Sequence, residues 1–143
     1  MKMTIDPGLA GTGWAVWDER WELKDHGVIY PKSDPKSSSI VSGLLDVTCD
    51  RGVFTSFFVE EPAFMEGGRG VVTARSGSLV KLLLLVGMIM QEFGAEGVKV
   101  RDWKGQLPKD VVIRRIKRVL PDCLATSHDW DAVGMGLYLS GRF

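Results

Sequence analysis

Residues 53–59, VFTSFFV, are β-branched and aromatic, carry no charge, and run directly into Glu60 and Glu61. So short an apolar run reads as a buried central strand, and a strand apolar on both sides must be covered on both sides. Such a strand belongs in a sheet between two helical layers. Its terminal carboxylate then falls at the edge of the sheet, where open α/β sheets bind their ligands.

The other segments supply that sheet and those layers. Residues 2–5 form a short strand ending in the turn Asp6-Pro7-Gly8, residues 12–17 (TGWAVW) a second, and residues 21–29 a third, giving an antiparallel meander. Residues 30–36 (YPKSDPK) are a linker with two prolines. Ser37 to Ser39 offer an N-cap, and Ile40, Leu44, Leu45 and Val47 give a helical face ending near Gly52. Residues 62–77, rich in glycine and arginine without a clear period, read as an exposed loop. Residues 78–93 read as a helix apolar nearly all round, and residues 98–100 as a short strand. Residues 103–107 read as a loop, and Pro108 opens a helix that reaches about Leu120. A last helix starts near Ser127 or His128 and runs to Leu139. The expected fold is α/β: a mixed five-stranded sheet with helices on both faces, in one domain spanning residues 1–143.

Composition fits this picture, with 45% apolar and 25% charged residues, and excludes wholesale disorder. The longest apolar run, residues 79–90, is interrupted by Lys81 and too short to cross a bilayer. The start, MKMTIDPG, has no apolar signal core, and Cys49 and Cys123 have no metal-type spacing. A cytoplasmic protein without membrane contact is expected. Net charge is zero, with 18 basic and 18 acidic residues, but it is segregated. Residues 99–118 hold eight basic side chains against Asp102 and Asp110, so this segment carries +6 and the remainder −6. That segment is either a basic face for an anionic partner or a solvated helix surface.

Acidic residues stand at three element ends: Asp6 after the first strand, Glu60 and Glu61 after the buried one, and Asp129 and Asp131 with His128 at the start of the last helix. His128 and Asp131 are three apart and share a helix face. Brought together, these groups suit one or two divalent cations of the Mg²⁺ or Mn²⁺ type. Two such ions about 4 Å apart would serve an in-line phosphodiester displacement. Taken singly, each residue has a plainer role: Asp6 in a turn, either glutamate as a strand stop, Asp129 as a helix cap, His128 as a hydrogen-bonding side chain.

The order of these motifs resembles the RuvC-type Holliday junction resolvases, above all their small phage-encoded members, within the RNase H-like nuclease superfamily. IDPGLAGTGWAV, FFVEEPAFM, KLLLLVGMIMQEF, LPKDVVIRRIKRVL and SHDWDAVGMGLYL carry the resemblance, which spans nearly the whole chain. It implies a catalytic and metal-binding set of Asp6, Glu60, His128 and Asp131, holding two Mg²⁺ or Mn²⁺ ions. Many members have aspartate at the position of His128, and Asp129 competes with it locally. The implied activity is resolution of four-way DNA junctions by paired symmetric nicks. A cytoplasmic setting follows, that of a bacterial host if the chain is phage-encoded.

Lys104 and Lys109 stand near lysines of the family, and Phe64 near a frequent aromatic at the junction crossover. With Arg69, Arg75, Arg114, Arg115 and Arg118 they form the expected DNA-binding set, Lys117 adding to the same basic helix. Phe64 packing on the core is the alternative for that residue. Paired cuts need two sites, so a homodimer is implied. Helix 78–93, apolar round its axis, is the expected interface unless it is sandwiched within the monomer. Competing functions are a flap, fork or RNA–DNA hybrid nuclease of the same fold, or a branched-DNA binding module without hydrolysis.

Overall fold

The computed structural model describes residues 1–62, 77–126 and 128–143. Five strands, β1 (Lys2–Asp6), β2 (Thr12–Trp17), β3 (Leu23–Ile29), β4 (Ser56–Glu61) and β5 (Glu96–Lys99), form one sheet in the order β3-β2-β1-β4-β5. The meander pairs antiparallel, β1 with β2 and β2 with β3, whereas β4 lies parallel to both β1 and β5. The mixed five-stranded sheet is as expected, but β1, not β4, is its middle strand. β4 also begins later than the sequence pattern indicates. Val53 is 83% exposed, and Thr55 donates its backbone N–H and its hydroxyl to the Met1 carbonyl instead of joining the ladder.

Helices α1 (Lys36–Arg51), α2 (Ser78–Phe93), α3 (Val100–Trp103), α4 (Lys109–Val119) and α5 (Asp129–Leu139) complete the described chain. Strand parity assigns them to two layers. Met3, Ile5, Trp14, Val16 and Val59 face one side and pack with Ile40, Val41 and Leu44 of α1 and Leu85, Val86 and Ile89 of α2. Their neighbours Ala15 and Trp17, with Val98 of β5, face the other side. There they meet Val112 and Ile116 of α4 and Ala132, Val133, Met135 and Leu137 of α5.

Local expectations are adjusted in three places. Ser37 to Ser39 lie inside α1, whose first turn follows Pro35 without a side-chain cap. Ser39 instead accepts the Lys32 N–H through its hydroxyl, tying the proline linker to the helix. Val41 takes the buried position expected of Leu45, which is 37% exposed. β5 ends at Lys99 and continues into the single turn α3, where a strand end and a loop were expected. Lys104 and Gly105 both donate to the Val100 carbonyl, and Gly105 closes the turn at φ +54°, a left-handed conformation that glycine takes without a Cβ clash. No helix among the described residues is long and apolar enough to cross a membrane.

Candidate active site

Asp6 and Glu60 lie one step beyond the Ile5–Val59 pair of β1 and β4. Ile5 and Val59 face α1 and α2, so alternation turns both carboxylates toward α5. That helix brings Asp131 from its first turn. It reaches the sheet this closely because Gly13, the β2 partner of Asp6, has no side chain: a Cβ there would overlap the His128 carbonyl. Thr4 fixes the helix over β1. Its hydroxyl donates to the Ala132 carbonyl at 2.8 Å and accepts the Trp17 indole N–H at 2.9 Å.

The three carboxylates are close enough to repel one another. Burial, then the charges of Glu60 and Asp131, hold the Asp6 carboxyl well above the usual range, against the opposing pull of Lys104 and Lys109. Glu60 is also raised, chiefly by burial, while Lys104 and the Trp103 hydrogen bond work the other way. Lys104 Nζ sits between the acids, 3.1 Å from Glu60 Oε2 and 3.4 Å from Asp131 Oδ2. Burial disfavours its charge, but Glu60, Asp131 and Asp6 outweigh that and raise its pKa. Lys109 Nζ lies 2.6 Å from the same Asp131 oxygen. The two lysines therefore belong to the carboxylate cluster as well as to the basic segment.

Geometry separates the neighbouring acids. Glu61 follows the opposite parity and lines a cavity of about 540 Å³ with Leu83, Val86 and Met90 of α2, on the far side of the sheet from Glu60. Asp129 is buried and fully engaged: Oδ1 accepts from the backbone N–H and hydroxyl of Thr126, and Oδ2 lies 2.8 Å from His26 Nδ1 on β3. His26 Nε2 is in turn 3.8 Å from Cys123 Sγ. Asp129 thus ties β3 to the start of α5, and the neighbouring Asp131 is the acid turned toward Asp6 and Glu60. His128 is half-buried beside the Asp6-Pro7-Gly8 turn, its Nδ1 3.9 Å from where a Cβ of Gly8 would stand.

Among the described residues, no three His, Cys, Asp or Glu side chains stand as a ready-made metal cage. The donor chemistry nevertheless fits a hard divalent cation. Asp131 Oδ1 is buried and has no hydrogen-bond partner among the described residues. A buried acceptor left so costs about 1–3 kcal/mol. Three carboxylates with that free oxygen, and an ammonium group lodged between two of them, form an oxygen-rich site for positive charge.

Trp103 escaped the sequence reading. Its indole N–H donates to Glu60 Oε2 at 2.9 Å, and the adjacency DWKG was the only local sign of it. Phe64, Arg69 and Arg75 lie outside the described residues. On α4, Arg114 pairs with Asp110, the Arg115 guanidinium lies 5.4 Å from the Phe143 ring, and the Lys117 ammonium lies 5.8 Å from that of Trp130. All three, and Arg118, are exposed on a helix whose first residue, Lys109, touches the cluster.

No family model matches the sequence, and no curated protein matches it. Solved structures do. Thermus thermophilus RuvC aligns over 99% of this chain and 96% of its own, with 18% identity and a TM-score of 0.59. T. thermophilus RuvC in complex with a Holliday junction substrate aligns over 95% and 89%, with 19% identity and a TM-score of 0.63. Fowlpox virus resolvase, in a complex with Holliday junction DNA, aligns over the full length of both chains, with 12% identity and a TM-score of 0.55. The chain has the RNase H-like fold of these structures.

Proposed function

We propose that this protein is a divalent-metal-dependent endonuclease that resolves four-way DNA junctions by paired symmetric nicks. The observation that carries the reading is the buried Asp131 oxygen, without a hydrogen-bond partner among the described residues, beside Asp6 and Glu60 on a fold shared with junction resolvases. Asp6, Glu60 and Asp131 would hold Mg²⁺ or Mn²⁺, with His128 as a further ligand or as the group that orients the attacking water. When bound, two such ions supply charge to the attacking and leaving oxygens of an in-line displacement. Lys104 and Lys109 balance the carboxylates and face the incoming phosphate. Arg114, Arg115, Lys117 and Arg118 extend the positive surface along α4, where phosphate contacts position the DNA without reading its sequence. On the same reading Arg69 and Arg75 contact the DNA and Phe64 has a role at the crossover, all three outside the described residues.

A homodimer through α2 would supply the second cut. The helix buries Leu85, Val86 and Ile89 but leaves Val80 67% and Leu84 59% exposed, so its own monomer does not enclose it. Sedimentation at micromolar concentration should give a dimer that Leu84→Glu dissociates.

The reading is tested with labelled four-way junctions, flaps, forks, linear duplexes and RNA–DNA hybrids, each incubated with Mg²⁺ or Mn²⁺ and mapped on denaturing gels. The junction should be cut best, at symmetric positions in two strands of like polarity. Preferential cutting of a flap, fork or hybrid would replace junction resolution with another nuclease activity. Junction binding without cutting in either metal would leave only a binding module.

A further inference from the structure

Trp103 is 4% exposed and rigidly seated. Its ring meets Phe143 edge-on at 5.4 Å and carries the Lys104 ammonium at 4.7 Å. Gly134 of α5 also packs on it, where an added Cβ would come within 2.7 Å of the ring. A purely apolar role would not require an indole, whose buried N–H must find an acceptor. The acceptor here is Glu60 Oε2, at 2.9 Å. Lys104 lies 3.1 Å from that same oxygen and donates a long hydrogen bond to Oε1 at 3.5 Å, so Oε1 is the more weakly held of the two.

We infer that Trp103 is a positioning residue for Glu60: its indole N–H anchors Oε2 and leaves Oε1 available to a divalent cation. The inference rests on the nuclease reading above. Partners that orient a metal ligand in this way are worth roughly 10–100-fold in metal affinity. If Glu60 served only to satisfy a core tryptophan, metal affinity would not depend on the N–H.

Trp103→Phe keeps a ring for packing and removes the donor. Mn²⁺ binding to the full chain, followed by the EPR signal of the free ion, should weaken by roughly tenfold or more in this variant. Circular dichroism and metal-free junction binding should be unchanged, and cleavage should recover as Mg²⁺ is raised. Mn²⁺ affinity within about twofold of wild type, well short of the range for an orienting partner, would overturn the inference. If Trp103→Phe does not fold, the test passes to ¹H–¹⁵N spectra of the wild type. The Trp103 indole resonance should move on addition of Mg²⁺, and that response should vanish in Glu60→Gln. An indole resonance indifferent to Mg²⁺ would overturn the inference equally. A wild type that neither binds Mn²⁺ nor cuts DNA would instead reject the nuclease reading, and this inference with it.

Discussion

On the α1/α2 side of the sheet, Met3, Ile5, Val16 and Val59 meet Ile40, Leu44, Leu85 and Ile89. On the α5 side, the very next residues of β1 and β4 are Asp6 and Glu60, and they share their cleft with Asp131, Lys104 and Trp103. The two faces are built from the same strands and differ only in parity. The first is an apolar core that stabilises by burial. The second has an apolar core of its own and, at the strand ends, also keeps charge where burial disfavours it, which raises the Asp6 and Glu60 carboxyls. The contrast repeats within α5. Asp129 has partners on both oxygens, whereas Asp131, two residues on, retains one oxygen with none among the described residues. Asp129 is saturated by the fold, and the buried Asp131 oxygen short of a partner among the described residues is the one that calls for an explanation.

The largest effect should come from exchanging one face for the other within a single dipeptide. Glu60→Gln should lower junction cleavage by about a thousandfold or more, the rate equivalent of roughly 4 kcal/mol. Glu61→Gln, at a half-buried position on the α2 side turned away from the carboxylate cluster, should leave the rate within about twofold. Equal losses measured in single-turnover assays would erase the distinction between the faces.

Stability should divide the two aspartates in the opposite sense. Asp129→Ala strands His26 and the Thr126 N–H and should cost about 2–4 kcal/mol in denaturant unfolding. Asp131→Asn relieves repulsion while losing lysine contacts, and should stay within about 1 kcal/mol. A costlier Asp131→Asn would make that residue the structural one.

A smaller effect is expected from pH and metal. The folded-state carboxyls of Asp6 and Glu60 are raised, so the folded chain holds protons that the unfolded chain has released. The contribution of these two groups to the stability of the metal-free protein is therefore whole below the ordinary carboxylate range, about 4, and is lost as pH climbs from there through the raised values. At neutral pH, Mg²⁺ at a hundred times its Kd should restore about 2.7 kcal/mol. Melting temperatures that rise across that window without metal would contradict the burial of like charges.

The smallest effect is expected on α4. Replacing Arg115 and Arg118 together should reduce the salt slope of junction binding by about two units, with the cleavage rate of bound junction preserved. An unchanged slope would make this a solvated helix surface.

Much of this arrangement was legible from alternation. Ile5-Asp6 and Val59-Glu60 each place an apolar residue and an acid on opposite faces, which is a local property of strands. The largely apolar helix at 78–93 and the proline-led helix at 109–119 follow equally from local pattern. What the sequence concealed depends on long-range contact. Asp129 and Asp131 look alike until His26, more than a hundred residues away, claims the first. Trp103 and Lys104 lie in what looked like a loop, and only the turn of α3 carries them to Glu60. Leu45 and Val41 exchanged roles because tertiary packing chose which flank of α1 to bury.

The most direct measurement takes Asp131→Asn and Asp129→Asn, both under conditions where circular dichroism reports folded protein, and follows binding and Mg²⁺-dependent cleavage of a labelled four-way junction. Asp131→Asn should bind the junction as wild type does and cut it at least about a thousandfold more slowly, while folded Asp129→Asn should cut within about tenfold of wild type. Wild-type cleavage by Asp131→Asn, or loss of cleavage by Asp129→Asn alone, would contradict the assignment of chemistry to Asp131.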